Sequence, residues 1–451
     1  MIEETLASLA RSVVIAIAAL GLGRLTVPVL TSAGIALAWR RMLFLLCALP
    51  VFAPTLLTGY AYARWSLPLV HLPWAKEAFY VLLLTMRFAP LGALLYWVFP
   101  PSLAHSGRHC LKLAEASSGI RGSLRIRLGM FADTPGMVVL ATMLLSFHEF
   151  EIASLIGVDT WSVRLFDAHA GGVPWGEAMV AAGAPIAVQV VLAGMCAWAS
   201  RKQFLEAGIG AVPRPTTARG IVAAATVLAP ACGIVLLPVS LIAAEAVAGV
   251  EQLLTSFAMQ KEILSSLLFG FSGGMVAFLI SSALPMRYLG IIAIPGLCGS
   301  LILALTAVRL LQWEVVRGVY DSPLPLVGVL VLLLLPVAFL LKFLRNRIAT
   351  SGAAHVATLA QSWLPRWRMT GRGAFASAAI LCLLGYAELT ASAILAPPGM
   401  TTAPARLYNL MHYGQTEVLS AMVIVVFLIP LASIVFCWGC VEVIFQSRSG
   451  A

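Results

Sequence analysis

Residues 324–343 read LPLVGVLVLLLLPVAFLLKF, twenty positions with no charge before Lys342. A helix rises about 1.5 Å per residue, so such a run reaches across about 30 Å of hydrocarbon. In that medium each backbone amide must pair within the segment, which makes the run a helix. Comparable apolar stretches recur at 8–30, 42–65, 78–99, 135–157, 177–198, 219–247, 263–284, 288–312, 373–396 and 418–440. The expected fold is therefore an all-α membrane protein of about eleven transmembrane helices. Composition agrees: of 451 residues 61% are hydrophobic and 11% charged, against about a quarter charged in soluble domains. Several runs contain proline (Pro230, Pro238, Pro336, Pro430), tolerated where neighbours satisfy the freed carbonyl.

The net charge of +10 is not a nucleic-acid signature, because Lys and Arg gather in alternate loops rather than on one face. Arg40 and Arg41 lie in 31–41; Arg108, Lys112, Arg121, Arg125 and Arg127 in 100–134; Arg201, Lys202 and Arg214 in 199–218; Arg345, Arg347, Arg366, Arg368 and Arg372 in 344–372. Basic loops face the cytoplasm, which places the N-terminus outside and the C-terminus inside a plasma (inner) membrane. The acidic start Met1-Ile2-Glu3-Glu4 lacks a basic n-region, so the first apolar run is expected to be retained. The cysteines are scattered except for Cys437 and Cys440, and no His, Asp or Tyr cluster has convincing metal spacing. Neither a metal nor another cofactor is expected. A phosphate loop, H-E-x-x-H and G-x-S-x-G are all absent, so no enzymatic step is assigned to the chain.

Two regions about 240 residues apart read alike. The first is Ser146-Phe147-His148-Glu149-Phe150-Glu151-Ile152-Ala153-Ser154-Leu155-Ile156, then Arg164-Leu165-Phe166 and His169. The second is Gly385-Tyr386-Ala387-Glu388-Leu389-Thr390-Ala391-Ser392-Ala393-Ile394-Leu395, then Arg406-Leu407-Tyr408 and His412. Each is an apolar helix with a buried Glu, an outside loop, an Arg-Leu-aromatic triplet and a further helix. Both copies run the same way, so the expected organisation is two parallel repeats, 1–210 and 211–451, with the pathway at their interface. A carboxylate inside a span costs about 3 kcal/mol. Glu149 and Glu388 therefore line the pathway or bridge the halves, or else are carboxyls hydrogen-bonded to neighbouring helices. Arg87 lies near the middle of its span and either snorkels to an interface or pairs with a buried carboxylate.

From Glu388 to Met422, above all Ala396-Pro397-Pro398-Gly399-Met400-Thr401-Thr402 and Arg406 to Gly414, the chain resembles the permeases of type I ABC importers. Within these it is most similar to the fused, two-half permeases of the ferric-iron and thiamine type, and 105–198 agrees with the first half. The resemblance implies one complete translocation pathway, a separate ABC ATPase subunit, expected as a homodimer, on the cytoplasmic side, and an external substrate-binding protein. It also implies a cytoplasmic coupling loop that rests on the ATPase. Ala114-Glu115-Ala116-Ser117-Ser118-Gly119 is similar to that loop, which assigns coupling to Glu115, Ala116, Gly119 and Gly122. Phe131 stands where the family has Pro, and the second loop, Ala353 to Ala360, has no acidic residue. Arg164, His169, Arg406, Tyr408 and His412 are either contacts for the binding protein or solvated loop residues. Ferric iron leads as substrate by resemblance, followed by thiamine, a phosphonate or another small solute. A secondary transporter driven by an ion gradient, and a permease relative that no longer transports, fit the same spans and repeats.

Overall fold

The computed structural model describes residues 1–31, 37–99, 110, 113–115, 117, 119–123, 126, 134–205, 217–348, 367–411 and 416–447. Among them there is no strand, as expected where the backbone must satisfy itself locally. Contacts divide the chain into two units, Met1–Leu241 and Ile242–Ala451.

The first unit runs α1 (Ile2–Thr31), α2 (Leu37–Phe52), α3 (Thr55–Ser66), α4 (Pro73–Val98), α5 (Thr134–Phe147), α6 (Glu151–Ile156), α7 (Trp161–Ala170), α8 (Trp175–Ala181), α9 (Gly183–Leu205) and α10 (Thr217–Ala231). A π-helical turn, Cys232–Leu236, leads into α11 (Leu237–Thr255), within which the division falls. The second unit continues with α12 (Phe257–Ala283), α13 (Met286–Ile292), α14 (Ser300–Leu311), α15 (Leu324–Ile348), α16 (Arg372–Ala387), α17 (Thr390–Leu395), α18 (Ala403–Met411) and α19 (Glu417–Ser447).

Among the described residues seven helices are long and apolar enough to cross a membrane: Ile2–Thr26, Pro73–Val98, Ile221–Thr255, Ala258–Ala283, Leu324–Asn346, Met369–Ala387 and Glu417–Val441. Their outer faces carry apolar side chains that a water-soluble protein would bury; Val247 is 77% exposed and Phe436 72%. The chain is thus a multi-pass helical membrane protein. Three expected spans are sharply bent instead of straight. Met42–Phe52 meets Thr55–His71 at 72°, Trp175–Ala181 meets Gly183–Ala199 at 64°, and Met286–Cys298 meets Ser300–Leu311 at 94°. The first bend falls at Pro54, in an extended conformation (φ −57°, ψ 131°) that cannot continue a helix. The sharpest falls at Gly299, whose φ of +86° suits only a residue without a Cβ.

Packing within each unit relies on small residues, since lipid offers no hydrophobic drive between helices. A Cβ on Gly92 of α4 would stand 2.0 Å from the carbonyl oxygen of Ala19 in α1. In the second unit Cβ atoms on Gly270 and Gly274 of α12 would come within 2.5 Å of the backbone of Tyr386 and Cys382 in α16. The C-terminus of α12 is closed by Lys342 of α15, whose ammonium donates to the carbonyls of Ser281 (2.6 Å), Ser282 (3.4 Å) and Leu284 (2.6 Å). A cation there also complements the negative end of the helix.

Pro238 has no N–H, so the carbonyl of Ile234, four residues earlier, loses its α-helical donor. The π turn displaces the ladder by one residue and involves the carbonyl of Gly233 as well. Both oxygens are met from α3, where Tyr62 Oη donates to Gly233 O at 2.6 Å and Thr58 Oγ1 to Ile234 O at 3.2 Å. The two hydroxyls are four residues apart and so share one helix face. Replacing Tyr62 by Phe, or Thr58 by Val, is expected to lower stability by about 1–2 kcal/mol each. In a Pro238→Ala background the loss should shrink, because residue 238 then supplies a donor. Thermal unfolding of the four variants of each cycle in detergent measures this; equal losses in both backgrounds would refute the account.

Candidate functional site

The sequence reading treats 135–157 and 373–396 as unbroken spans, and both are interrupted. Helix α5 stops at Phe147, with His148, Glu149 and Phe150 outside any helix before α6. Restarting a helix inside an apolar protein leaves its first N–H groups unpaired, and the Glu149 carboxylate closes them. Its Oε1 accepts from Ile152 N at 2.6 Å; its Oε2 accepts from Ala153 N at 3.3 Å and from Tyr80 Oη of α4 at 3.0 Å. The carbonyls released at the end of α5 are also taken. Trp161 Nε1 donates to Phe147 O at 2.7 Å, and Ser162 Oγ to Glu149 O at 2.9 Å. Glu149 is 7% exposed and every one of these donors points at it or beside it.

The second unit repeats the arrangement. Helix α16 stops at Ala387, Glu388 and Leu389 are not helical, and α17 begins at Thr390. Glu388 Oε1 accepts from Ala391 N at 3.1 Å, while Ser392 Oγ donates to Glu388 O at 2.8 Å. One difference is that a tyrosine of α4, Tyr80, also donates to the Glu149 carboxylate. Each carboxylate thus does the work of a helix N-cap.

Around Glu149 the first unit holds more charge. On α4, Glu77 pairs with Arg11 of α1, and Tyr80 and Arg87 follow on the same face at helical spacing. The Arg11 guanidinium lies over the Tyr80 ring, 5.6 Å from its centroid, and also donates to Asp159 O at 3.2 Å. Lys76 donates to Gly157 O at 2.5 Å. Deeper along α4, Arg87 is 9% exposed, its Nη1 makes no hydrogen bond, and Glu151 and Glu149 are the charges acting on it. Glu149 and Glu151 thus act on Arg87 at a distance and not through a contact ion pair. Charged side chains held at this depth are by default functional candidates.

The Arg-Leu-aromatic triplets lie on α7 and α18. Thr160 caps α7 by accepting from Val163 N at 3.2 Å. Arg164 pairs with Glu4 of α1 at 3.3 Å, and Arg406 pairs with Glu262 of α12 at 3.7 Å. Both carboxylates are 13% exposed, whereas the arginines are 53% and 46% exposed, so each pair bridges a helix interior to its surface. In the second unit Ser266 Oγ also accepts from Ala403 N at 2.7 Å. Glu4 and Glu262 were not singled out from the sequence, although a signal exists. Glu4-Thr5-Leu6-Ala7-Ser8-Leu9 and Glu262-Ile263-Leu264-Ser265-Ser266-Leu267 share Glu, Leu, Ser and Leu at one spacing. Their offset exceeds that between Glu149 and Glu388, which hides the match from a search at one fixed period.

Of the remaining residues expected to contact a binding protein, His169 is half-buried near the end of α7, and Tyr408 is 7% exposed and offers little surface. His412 lies outside the described residues. In the basic loop 100–134 Ser123 Oγ donates to Glu115 at 3.2 Å, and Ser123 N to Gly119 O at 3.0 Å. Gly119 is exposed, with open space where a Cβ would stand; Gly122 is half-buried. Ala116 and most of 344–372 lie outside the described residues. Among those described, no three His, Cys, Asp or Glu side chains could hold a metal ion together. No protein family, curated protein or solved structure matches the chain.

Replacing Glu149 by Ala removes the acceptor of three buried donors, and the expected loss is about 2–4 kcal/mol. Glu149→Gln keeps an oxygen in place and should lose less than half as much. Chemical denaturation of both variants in mixed micelles reads the difference; equal losses would mean that the charge, not the cap, holds this region.

Proposed function

We propose that the chain is the membrane-spanning permease of an ABC importer, embedded in a plasma membrane with its N-terminus outside and C-terminus inside. The observation that carries this reading is the recurrence, in both units, of one order of elements around one polar arrangement. A first helix with an inward Glu precedes a bent pair and a long helix. A span broken and capped by Glu, an outward helix tied by Arg to the first helix, and a final crossing follow. Counting each bent pair, and α5 with α6, as one crossing gives about eleven spans. Parallel duplicated halves are a common transporter layout, with the substrate path at the repeat interface. The similarity of Glu388–Met422 and of Ala114–Gly119 to type I importer permeases supplies the direction of transport and the partners. A separate ATPase engages the cytoplasmic loops 105–134 and 344–372, and an external binding protein delivers a small solute, with ferric iron the leading candidate by resemblance. ATP binding pushes on those loops and biases a two-state equilibrium between inward and outward openings. The chain itself carries out no chemistry.

One observation favours a second reading. The Arg87 guanidinium and the carboxyl groups of Glu149 and Glu151 act on one another within the first unit. Ionisable groups gathered inside membrane spans are what an ion-coupled transporter would use.

Co-purification of the chain with the ATPases of its host, followed by ATP turnover in lipid, separates the two. The expected outcome is a stoichiometric ATPase whose turnover rises with a binding protein and falls on Glu115 or Gly119 substitution. A chain that purifies alone and moves solute in liposomes on an ion gradient would replace the importer reading with the second.

A further inference from the structure

The two similar orders of elements do not fill the chain. The first consists of α1, the pair α2–α3, α4, the broken span α5–α6 with its outward helix α7, and the pair α8–α9. The second consists of α12, the pair α13–α14, α15, the broken span α16–α17 with its outward helix α18, and α19. The shared Glu-x-Leu-x-Ser-Leu pattern opens α1 at Glu4 and α12 at Glu262, so the second copy starts at α12. Between the copies lies one continuous apolar helix, Ile221–Thr255, outside the order they share.

Each copy, counted this way, crosses the membrane five times. An odd number of crossings leaves the end of a copy on the opposite face from its beginning. Joined directly, the second copy would enter from the side where the first ended and run inverted. The loop charges require the reverse: 100–134 and 344–372 are both basic and belong on the same, cytoplasmic side. One additional crossing removes the conflict. We infer that the α10–α11 helix is a topological adaptor whose single crossing turns two odd-numbered copies into parallel ones; this rests on the duplication read above, not on the substrate or the ATPase.

The packing of the helix fits that task. Its first part belongs to the first unit, where Thr58 and Tyr62 hold the carbonyls freed by Pro238. Its last part belongs to the second unit, where Ser420 Oγ of α19 donates to Glu245 at 3.0 Å. There a Cβ on Gly249 would stand 2.1 Å from the carbonyl oxygen of Glu417. The helix is therefore fixed at both ends, as a crossing that must not slip has to be. Among its outward side chains, Ile221, Val247 and Leu254 are all more than half exposed, as suits a helix that faces lipid.

The test reads orientation alone. A cysteine is placed at Thr401, between α17 and α18, and its reaction with a membrane-impermeant maleimide is followed in right-side-out and inverted vesicles by mass spectrometry. Three full-length variants are compared. In the first, 239–247 is replaced by an unrelated Leu/Ala segment that leaves Gly233–Pro238 and Gly249 intact; in the second, one unrelated apolar helix is inserted after α11; in the third, two are inserted. The first and third should label from outside like the parent, and labelling of the second from outside should fall about tenfold and appear in inverted vesicles. If the second fails to accumulate, outside labelling of the third still supports the adaptor. Outside labelling of the second, loss of outside labelling in the first, or failure of both insertions to accumulate would overturn it. A chain that passes while binding no ATPase would sink the importer reading and leave the adaptor standing.

Discussion

An unpaired backbone amide or carbonyl in hydrocarbon costs several kcal/mol, and the whole molecule is arranged around that cost. Where helices run unbroken they meet it alone. Several departures from a straight helix are accompanied by a side chain that restores the missing partner: Glu149 and Glu388 for N–H groups, Trp161 and Ser162 for carbonyls between α5 and α6, Thr58 and Tyr62 for the π turn, and Lys342 for the last carbonyls of α12. The polar residues of the spans are in this sense conditions for the bends, and the bends shape whatever passes between helices.

That dual role answers part of the choice posed by Glu149 and Glu388. A carboxylate whose oxygens are filled by backbone donors is a fixed point of the fold. Arg87, with one nitrogen free of hydrogen bonds, is differently placed: its charge is balanced at a distance and not consumed by geometry. The first unit therefore separates a structural acid from a charge that remains available to respond to what approaches it.

The apolar runs were legible because length and hydropathy act over twenty residues at once. The runs at 324–343 and 418–440 lie within helices α15 and α19. The interruptions were not legible, since one Glu in an apolar run has the same appearance whether it lines a path or caps a restarted helix. Gly299 and Pro54 gave local warning of bends that an apolar average smooths away. The similarity between Glu149 and Glu388 was visible from neighbouring letters, but the donor Tyr80, which serves Glu149, lies 69 residues away on another helix. No local pattern announces such a partner. Glu4 and Glu262 escaped because the stretch from Glu4 to Glu149 is longer than that from Glu262 to Glu388, so the two pairs do not share one offset.

The order of synthesis gives these polar ties a direction. Thr58 and Tyr62 are made before Gly233 and Ile234, Tyr80 before Glu149, and Glu262 before Arg406. A hydroxyl helix can enter lipid with its own backbone as temporary partner, as Ser12 and Thr26 still do. A carboxylate or a carbonyl stripped of its donor has no such provision. For Glu149 and for the carbonyls of Gly233 and Ile234, the helix that will receive the demanding group is already made when that group leaves the ribosome. Glu4, Glu262 and the last carbonyls of α12 instead precede Arg164, Arg406 and Lys342, so those ties close only when a later helix arrives.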